Sequence, residues 1–598
     1  MSVLSFALVA FAAALLAGVA TPAFGRLARR IGMVVAPRAD RWHRSPTPVL
    51  GGAAITLAAV LVIVTLVPAS RVGATIVVGL LAAFALGLID DFRRIAPSTK
   101  LAGQAVIASI LFFGGVRVEI IYIAPLAYLV TVLWVVGLMN AVNLIDNMDG
   151  LAGGIVAIAG IALGVSAVPE NPTAGIVAGA AGGAALGFLV HNFPPARIFM
   201  GDSGSLVLGY LLAAAALLHT ASGAANVSLA VLAPLAVLAL PIFDTALVTT
   251  SRRLVGRPIS QGGRDHTSHR LAALGLSDRG VVLLLYVVAV VLAVSALLAE
   301  EVSGLVFPLF AIGLISLVLF GVFLYDVEVY GARAGKRERG PIARELVTYA
   351  RFGAEIVFDV VLFSVAYYLA FALRFEGFDP NAWLYLFVQT VPLVVALQLG
   401  SLVLFGAYRT LWRYITVADV LNVLKALAIA NIAAAGLILG VAAVQGFPRS
   451  GLPLNWLLAS AFLVGSRASL VWLRYWFAVR PGVDARRVLI IGATDTGALA
   501  LRLISRTRGT PYHAVGFLDD DPGKRYRRVA GVPVLGTVSD LEAVLQRHRI
   551  DLVLYANDLP ESEPGRLQSL KESCARFGAE WREFAMPVSQ LPRSSPSV

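Results

Sequence analysis

Long apolar stretches alternate with short polar ones along most of this 598-residue chain. They fall near residues 3–23, 49–68, 73–89, 101–116, 124–145, 151–168, 173–190, 204–219, 226–247, 280–299 and 303–325, then 352–374, 383–406, 420–444 and 454–476. Runs of about 17–25 apolar residues are long enough for a helix to cross the hydrocarbon core of a bilayer. The pattern therefore predicts about fifteen transmembrane helices. From about residue 485 it changes: "RRVLIIGATDTGALALRLI" reads as strand, glycine turn and helix, and "HAVGFLDDD" and "IDLVLYA" read as buried strands. The expected fold class is a polytopic α-helical membrane protein with a small C-terminal cytoplasmic α/β, Rossmann-like domain. The expected domains are eleven helices over 1–330, a cytoplasmic linker over 331–350, four helices over 351–480 and the α/β domain over 485–590. The Ser- and Pro-rich tail after Phe584 is expected to be disordered.

Composition agrees with this pattern. Hydrophobic residues make up 58% of the chain and charged residues 14%, against about 25% charged in soluble domains. The net charge of +12 is explained by loops. Those at 24–48, 90–100, 191–203, 248–279 and 326–351 are basic, while the alternate set is short and carries few Lys or Arg. The positive-inside rule assigns the basic set to the cytoplasm and the amino terminus to the outside. No nucleic-acid motif accompanies the charge, so nucleic acid is not an expected partner. One cysteine, Cys574, excludes a disulfide framework and a cysteine-rich metal site. No cleavable signal is evident at the amino terminus.

Polar clusters interrupt this apolar background, and all fall on the side assigned to the cytoplasm. "GLIDDFRR" (87–94) ends a span with Asp90 and Asp91; they read as a general base or ligands for a hard cation, or as a solvated helix end. "NLIDNMDG" (143–150), with Asn140 before it, spaces Asn140, Asn143, Asp146 and Asp149 three apart. A carboxylate at bilayer depth costs roughly 2.5–3.5 kcal/mol. On a helix the stripe would sweep half the circumference, so it must face a polar cavity. "HNFPPARIFMGDSGS" (191–205) places Asp202 in a Gly-Asp-Ser-Gly turn, a plausible third metal ligand beside the other acids. "GGRDHTSHRLAALG" (262–275) sets His266 and His269 among Arg264 and Arg270. Zinc lacks a supporting pattern there, and cationic donors to a diphosphate fit better. Oxygen ligands for Mg²⁺, basic donors and a cytoplasmic cavity together describe phosphoryl transfer between a soluble nucleotide and a lipid.

The succession "LIDD", "KLAGQ", "NAVNLIDNMDGLAGG", "FMGDSGS" and "DHTSHRL" resembles the polyprenyl-phosphate N-acetylhexosamine-1-phosphate transferases over residues 1–330. The resemblance implies a multi-pass enzyme of the bacterial inner membrane, with its active site and C-terminal domain in the cytoplasm. Its implied reaction transfers a sugar 1-phosphate from a UDP-N-acetylhexosamine to polyprenyl phosphate, giving polyprenyl-diphosphate-sugar and UMP. It implies Mg²⁺, with Mn²⁺ as a substitute. Asp90 and Asp91 match the aspartate pair proposed to activate the lipid phosphate or lie near the metal. Asp202 matches the metal-binding aspartate, with Asn143 its companion and Asp91 a further ligand. Asp146, Asp149 and Asn192 match positions lining the nucleotide-sugar pocket; Lys100, His266, His269 and Arg270 match positions near the diphosphate. The family often reads His-Leu-His-His where this chain has His266-Thr-Ser-His269. A homodimer is among the oligomeric states left open. The competing class is a membrane scaffold that recruits glycan enzymes.

Residues 345–590 resemble the membrane anchor and first nucleotide-binding-like domain of the polysaccharide-biosynthesis sugar epimerase/dehydratase family. "FGAYRTLWRYITVADVLNVLKA" and "RRVLIIGATDTG" carry this resemblance. No second Rossmann domain or catalytic Tyr-x-x-x-Lys segment is present, so epimerase chemistry is not expected. Gly492, Gly497 and Asp519 are the candidate cofactor contacts, but Thr494 stands where a middle glycine would let backbone approach a pyrophosphate. NAD, another regulatory ligand and a docking or structural role all remain open for this domain.

Overall fold

The structure is a computed structural model of the whole chain. It describes residues 1–35, 46–93, 95–220, 234–255, 263, 265–301, 312–313, 316–318, 320–321, 324, 341–375, 383–409, 416–441, 447–478, 486–506, 512–525, 527–556 and 564–584. Two compact units divide it, Met1–Val471 and Trp472–Val598.

The first unit is helical. Its elements are α1 (Val3–Arg30), α2 (Gly51–Leu66), α3 (Arg71–Arg93), α4 (Pro97–Phe113), α5 (Ala124–Ile145), α6 (Leu151–Ala167), α7 (Pro172–Asn192), α8 (Gly201–Thr220), α9 (Ala239–Val255), α10 (Thr267–Ala273), α11 (Asp278–Glu301), α12 (Pro341–Arg374), α13 (Leu384–Leu404), α14 (Val417–Ala435) and α15 (Gly451–Ala478). Among the described residues nine helices are long and apolar enough to cross a membrane, and α2 and α6 are shorter apolar helices. The chain is thus a polytopic membrane protein. Most of the expected span at 303–325 lies outside the described residues, as do Arg38, Arg41, Arg44, Arg264 and the tail after Phe584.

Helix ends follow chain breakers more than hydropathy. The first helix runs past residue 23 to Arg30 and stops before Gly32, whose φ is +77°. The helix expected over 226–247, Ala239–Val255 among the described residues, continues past residue 247 through Arg252 and Arg253. Conversely, α5 ends at Ile145, where Asn147 Nδ2 donates to the Leu144 carbonyl at 2.8 Å. Asp146 and Asp149 therefore sit in a turn and do not extend the helical stripe of Asn140 and Asn143. Asp202 departs in the other direction: it lies in the first turn of α8, not in a loop.

Small residues set the packing. Beside the middle of α1, Gly183 and Gly187 of α7 face its backbone so closely that a Cβ would collide with the Ala10 or Ala14 carbonyl. In the second group of helices, Asp359 of α12 and Arg467 of α15 form a buried pair, Nη2 to Oδ1 at 2.8 Å, which Tyr408 joins by donating its hydroxyl to Asp359 Oδ2 at 2.8 Å.

The second unit is a six-stranded sheet. Its strands are β3 (Arg486–Ile491), β4 (Tyr512–Leu518), β5 (Arg528–Val529), β6 (Val532–Gly536), β7 (Leu552–Ala556) and β8 (Glu580–Phe584), in the order β5-β6-β4-β3-β7-β8; the pair β1 (Val34–Val35) and β2 (Thr47–Pro48) lies near the amino terminus. All neighbours are parallel except β5 and β6. Val488, Leu489, Ile490 and Ile491 of the central strand are fully buried, as a strand covered on both faces requires. Helices α16 (Asp495–Arg506), α17 (Leu541–Arg547) and α18 (Pro564–Arg576) complete an α/β domain.

Candidate active site

Four segments remote in sequence meet where α3 and α5 end and α4 and α8 begin. Gly87 permits the approach of α3 to α8, since a Cβ there would lie 2.5 Å from the backbone of Asp202 and Ser203. One turn later Asp91 reaches the first turn of α8. Its Oδ1 accepts the Asp202 N–H at 2.7 Å and its Oδ2 the Ser203 N–H at 3.1 Å. These N–H groups have no partner within their own helix, and the helix dipole favours an anion there. The start of α8 is also held from another direction. Phe199 donates to the Pro48 carbonyl at 2.9 Å, and Gly51 and Gly52 donate to the carbonyls of Phe199 and Met200 at 3.0 and 2.9 Å.

Asp90 points elsewhere. Its Oδ1 accepts the Ile95 N–H at 2.8 Å, and its Oδ2 lies 2.9 Å from Lys100 Nζ. Lys100 Nζ also bonds Asp202 Oδ2 and lies 3.4 Å from Asn143 Oδ1. Asn143 Nδ2 donates to Asp202 Oδ1 at 2.9 Å and to Ser205 Oγ at 2.8 Å. One ammonium group is thus the meeting point of oxygens from α3, α5 and α8. One turn deeper, Asn140 donates to the buried Gln104 amide oxygen at 2.7 Å.

This donor set fits a hard cation. Among the described residues, no three His, Cys, Asp or Glu side chains are grouped to hold a metal. Two carboxylates and an amide oxygen nonetheless converge on the Lys100 charge. Mg²⁺ takes few ligands from protein and leaves the rest to phosphate and water, so a set of this size suits it. Asp91, expected as a further ligand, has both oxygens engaged by backbone.

Around this centre the expected pocket residues divide into two groups. Asp146 accepts no hydrogen bond from the described residues; burial, then the charges of Asp202, Asp149 and Asp91, push its carboxyl up to about 8. Asp149 and Asn192 brace the turn. Asp149 Oδ2 accepts the Ala196 N–H at 2.9 Å, and Asn192 takes the Gly150 N–H and donates to the Ile198 carbonyl, both at 2.9 Å.

The histidine segment joins the same turn, because Ser268 Oγ bonds Asn147 Oδ1. His266 and His269 stand edge to face, ring centroids 6.1 Å apart, both buried. Arg270, expected near a diphosphate, instead donates to the carbonyls of Asp265 and Leu324 at 2.8 and 2.9 Å. Arg252 forms a two-point pair with Asp265 at 2.8 and 2.7 Å. Burial alone would raise the Asp265 carboxyl; Arg252 outweighs it and holds the group below the usual range.

Three participants escape the sequence reading: Asp244, Arg252 and Asp265. Asp244 is bonded to His266 and lies inside a stretch expected as an apolar span. A lone ionisable residue in such a run was the available signal.

In the second unit the glycine turn after β3 is closed by its own chain. Gly492, with φ +105°, adopts a conformation that side-chain-bearing residues rarely take. Asp519, buried, accepts the Ala493 N–H at 2.7 Å, the Asp521 N–H at 2.9 Å and the Lys524 ammonium at 3.0 Å. Asp520 takes the Val538 N–H at 2.8 Å and Arg566 at 2.6 Å. Asp519, a candidate cofactor contact, thus already bonds three groups of its own domain.

Comparison with known proteins matches the profile of glycosyl transferase family 4 to residues 74–220, and that of a CoA-binding domain to residues 403–576. The chain is 34% identical over 303 residues to a probable undecaprenyl-phosphate N-acetylglucosaminyl 1-phosphate transferase of Bacillus subtilis, covering 47% of this chain and 82% of that protein. It is 34% identical over 325 residues to a decaprenyl-phosphate N-acetylglucosaminephosphotransferase of Mycobacterium tuberculosis, covering 47% and 79%. It is 33% identical over 330 residues to a phospho-N-acetylmuramoyl-pentapeptide-transferase of Desulforudis audaxviator, covering 48% and 95%.

Proposed function

The chain belongs to the polyprenyl-phosphate N-acetylhexosamine-1-phosphate transferases, and from that premise we propose that it moves N-acetylglucosamine 1-phosphate from the UDP-sugar to polyprenyl phosphate, releasing UMP. The carrying observation is the convergence of Asp90, Asn143 and Asp202 on one cationic point. Two idle acids and an amide would not be gathered from three helices at the cost of desolvation.

A phosphate monoester has a second pKa near 6 and is largely dianionic at pH 7. The attacking lipid phosphate thus needs positioning more than a base, which favours direct displacement over an aspartyl-phosphate intermediate. Lys100 supplies positive charge where the diphosphate would lie, and Asp90 orients Lys100 through their 2.9 Å contact. Asp91 keeps the α8 N-terminus in place, so Asp202 stays aimed at the centre. Asp202, Asn143 and Asp90 are the residues that would hold Mg²⁺, which when bound neutralises charge on the transferring phosphoryl group. Asp146 and the histidine segment complete the donor side.

We read the centre as cytoplasmic and the membrane as the bacterial inner membrane; the basic loops support the first and the bacterial sources of the relatives the second. The C-terminal α/β domain is read as structural or regulatory, a view supported by the self-closed glycine turn. The test uses purified full-length protein, polyprenyl phosphate, Mg²⁺ and a panel of UDP-sugars, scored for UMP. UMP with UDP-N-acetylglucosamine is expected; UMP with no sugar nucleotide in the panel ends the proposal.

A further inference from the structure

We propose that Asp244 is a positioning residue for the transfer reaction, acting through His266. The inference rests on the function proposed above. Asp244 Oδ2 is 2.8 Å from His266 Nδ1, and Asp244 Oδ1 accepts the Thr267 N–H at 2.7 Å. The two side chains are 1% and 6% exposed, so water does not compete for these bonds. A carboxylate only accepts, hence Nδ1 carries the proton and Nε2 is the nitrogen left to meet a ligand. A diphosphate oxygen also only accepts, so contact with it requires a proton on Nε2 as well. Asp244 sets a negative charge beside the ring and fixes its plane.

The surrounding bonds narrow the role to His266. Arg270 is directed to backbone carbonyls, and Arg252 to Asp265. Ser268 fastens the segment to the Asn147 turn, so a ring held by Asp244 keeps a fixed station relative to the "NLIDNMDG" residues. A carboxylate placed only to cap α10 would need one oxygen for the Thr267 N–H. The second is committed to the imidazole.

A double-mutant cycle in the full-length protein tests this, with UMP release as the readout and UDP-sugar varied. Asp244→Asn keeps the shape and an acceptor for Thr267 but removes the negative charge that holds the ring through Nδ1. It should lower kcat/KM about 10–100-fold, the size seen for the hydrogen-bond partners of metal-ligating histidines. In a His266→Gln background the same change should cost less than about twofold, because its target is gone. Equal losses in both backgrounds, or an Asp244→Asn enzyme within about threefold of wild type, would overturn the assignment. If Asp244→Asn loses its cooperative melt, Asp244→Glu enters the cycle under the same criteria. An inactive wild type would sink the functional reading itself, and this inference with it; an active wild type with additive variants would sink only the role of Asp244.

Discussion

Two acidic centres in this chain look alike in sequence and behave oppositely in structure. Asp90 and Asp91 of α3 and Asp202 of α8 come from two helices far apart in the chain, and Asp90 and Asp202 share one cation with Asn143. Asp519, Asp520 and Asp521 are consecutive. Asp519 and Asp520 bond backbone N–H groups and cations of their own domain, and Asp521 caps a short turn by accepting the Gly523 N–H at 2.8 Å. That run is satisfied partly by its own turn, through the Asp521 and Gly523 N–H groups and Lys524, and partly by Ala493, Val538 and Arg566 of the same domain, so no acid there is left to a common point. Acids brought together by tertiary folding leave a strong field at one point, which folding alone does not require. The first arrangement predicts chemistry and the second predicts architecture.

The largest expected effect tests the first half of that contrast. Asp202→Asn should cut UMP release by about 10²–10³-fold, the size seen when one preorganised electrostatic group is lost from a reacting centre. The detergent melting temperature should change little, since an amide can keep the Asn143 contact. Chelation with EDTA should also stop turnover, and added Mg²⁺ should restore it. An Asp202→Asn enzyme near wild-type rate would leave the two centres indistinguishable.

A smaller effect separates the two neighbours in "LIDD". Asp91→Ala removes two charge-assisted bonds from the start of α8 and should cost about 1.5–3 kcal/mol of stability. Asp90→Asn leaves those bonds intact and should instead lower turnover with little change in melting. Thermal melts and UMP assays on both variants would show the split. Equal melting losses would mean that the pair acts as one structural unit.

How much of this could be read from the sequence depends on where each side chain's hydrogen bonds go. The membrane class, the α/β domain and the transferase family were legible, because apolar run length, strand–turn–helix order and motif succession are one-dimensional signals. Asp90, Asn143 and Asp202 were legible as polar residues ending apolar runs. The different tasks of Asp90 and Asp91 were not, since adjacent residues on a helix point about 100° apart and only the packing of α3 on α8 decides which one meets the backbone. Asn192 and Arg270 carry suitable chemistry but bond main-chain groups. Asp244 lay in an apolar stretch, 22 residues before its partner. The end of α5 was misread because periodicity cannot see Asn147 bonding the Leu144 carbonyl.

The smallest effect probes the second centre. Asp519→Ala leaves the Ala493 and Asp521 N–H groups without their acceptor and should cost about 1–3 kcal/mol locally. Hydrogen exchange at Ala493 should speed up at least fivefold, while UMP release stays within about twofold of wild type. The pH behaviour follows from the direction of the Asp519 shift. Burial alone would raise its carboxyl, but bonds from Asp521, Lys524 and Ala493 outweigh it and hold the group below the usual range. A depressed carboxyl contributes its full stability above the unfolded value, about 3.9, and loses it only as pH falls through the folded one. The ratio of exchange rates between variant and wild type should therefore be the same at pH 6 and pH 8. A tenfold fall in UMP release would show that the self-closed turn is wired to the transferase centre, and the contrast between chemistry and architecture would no longer hold.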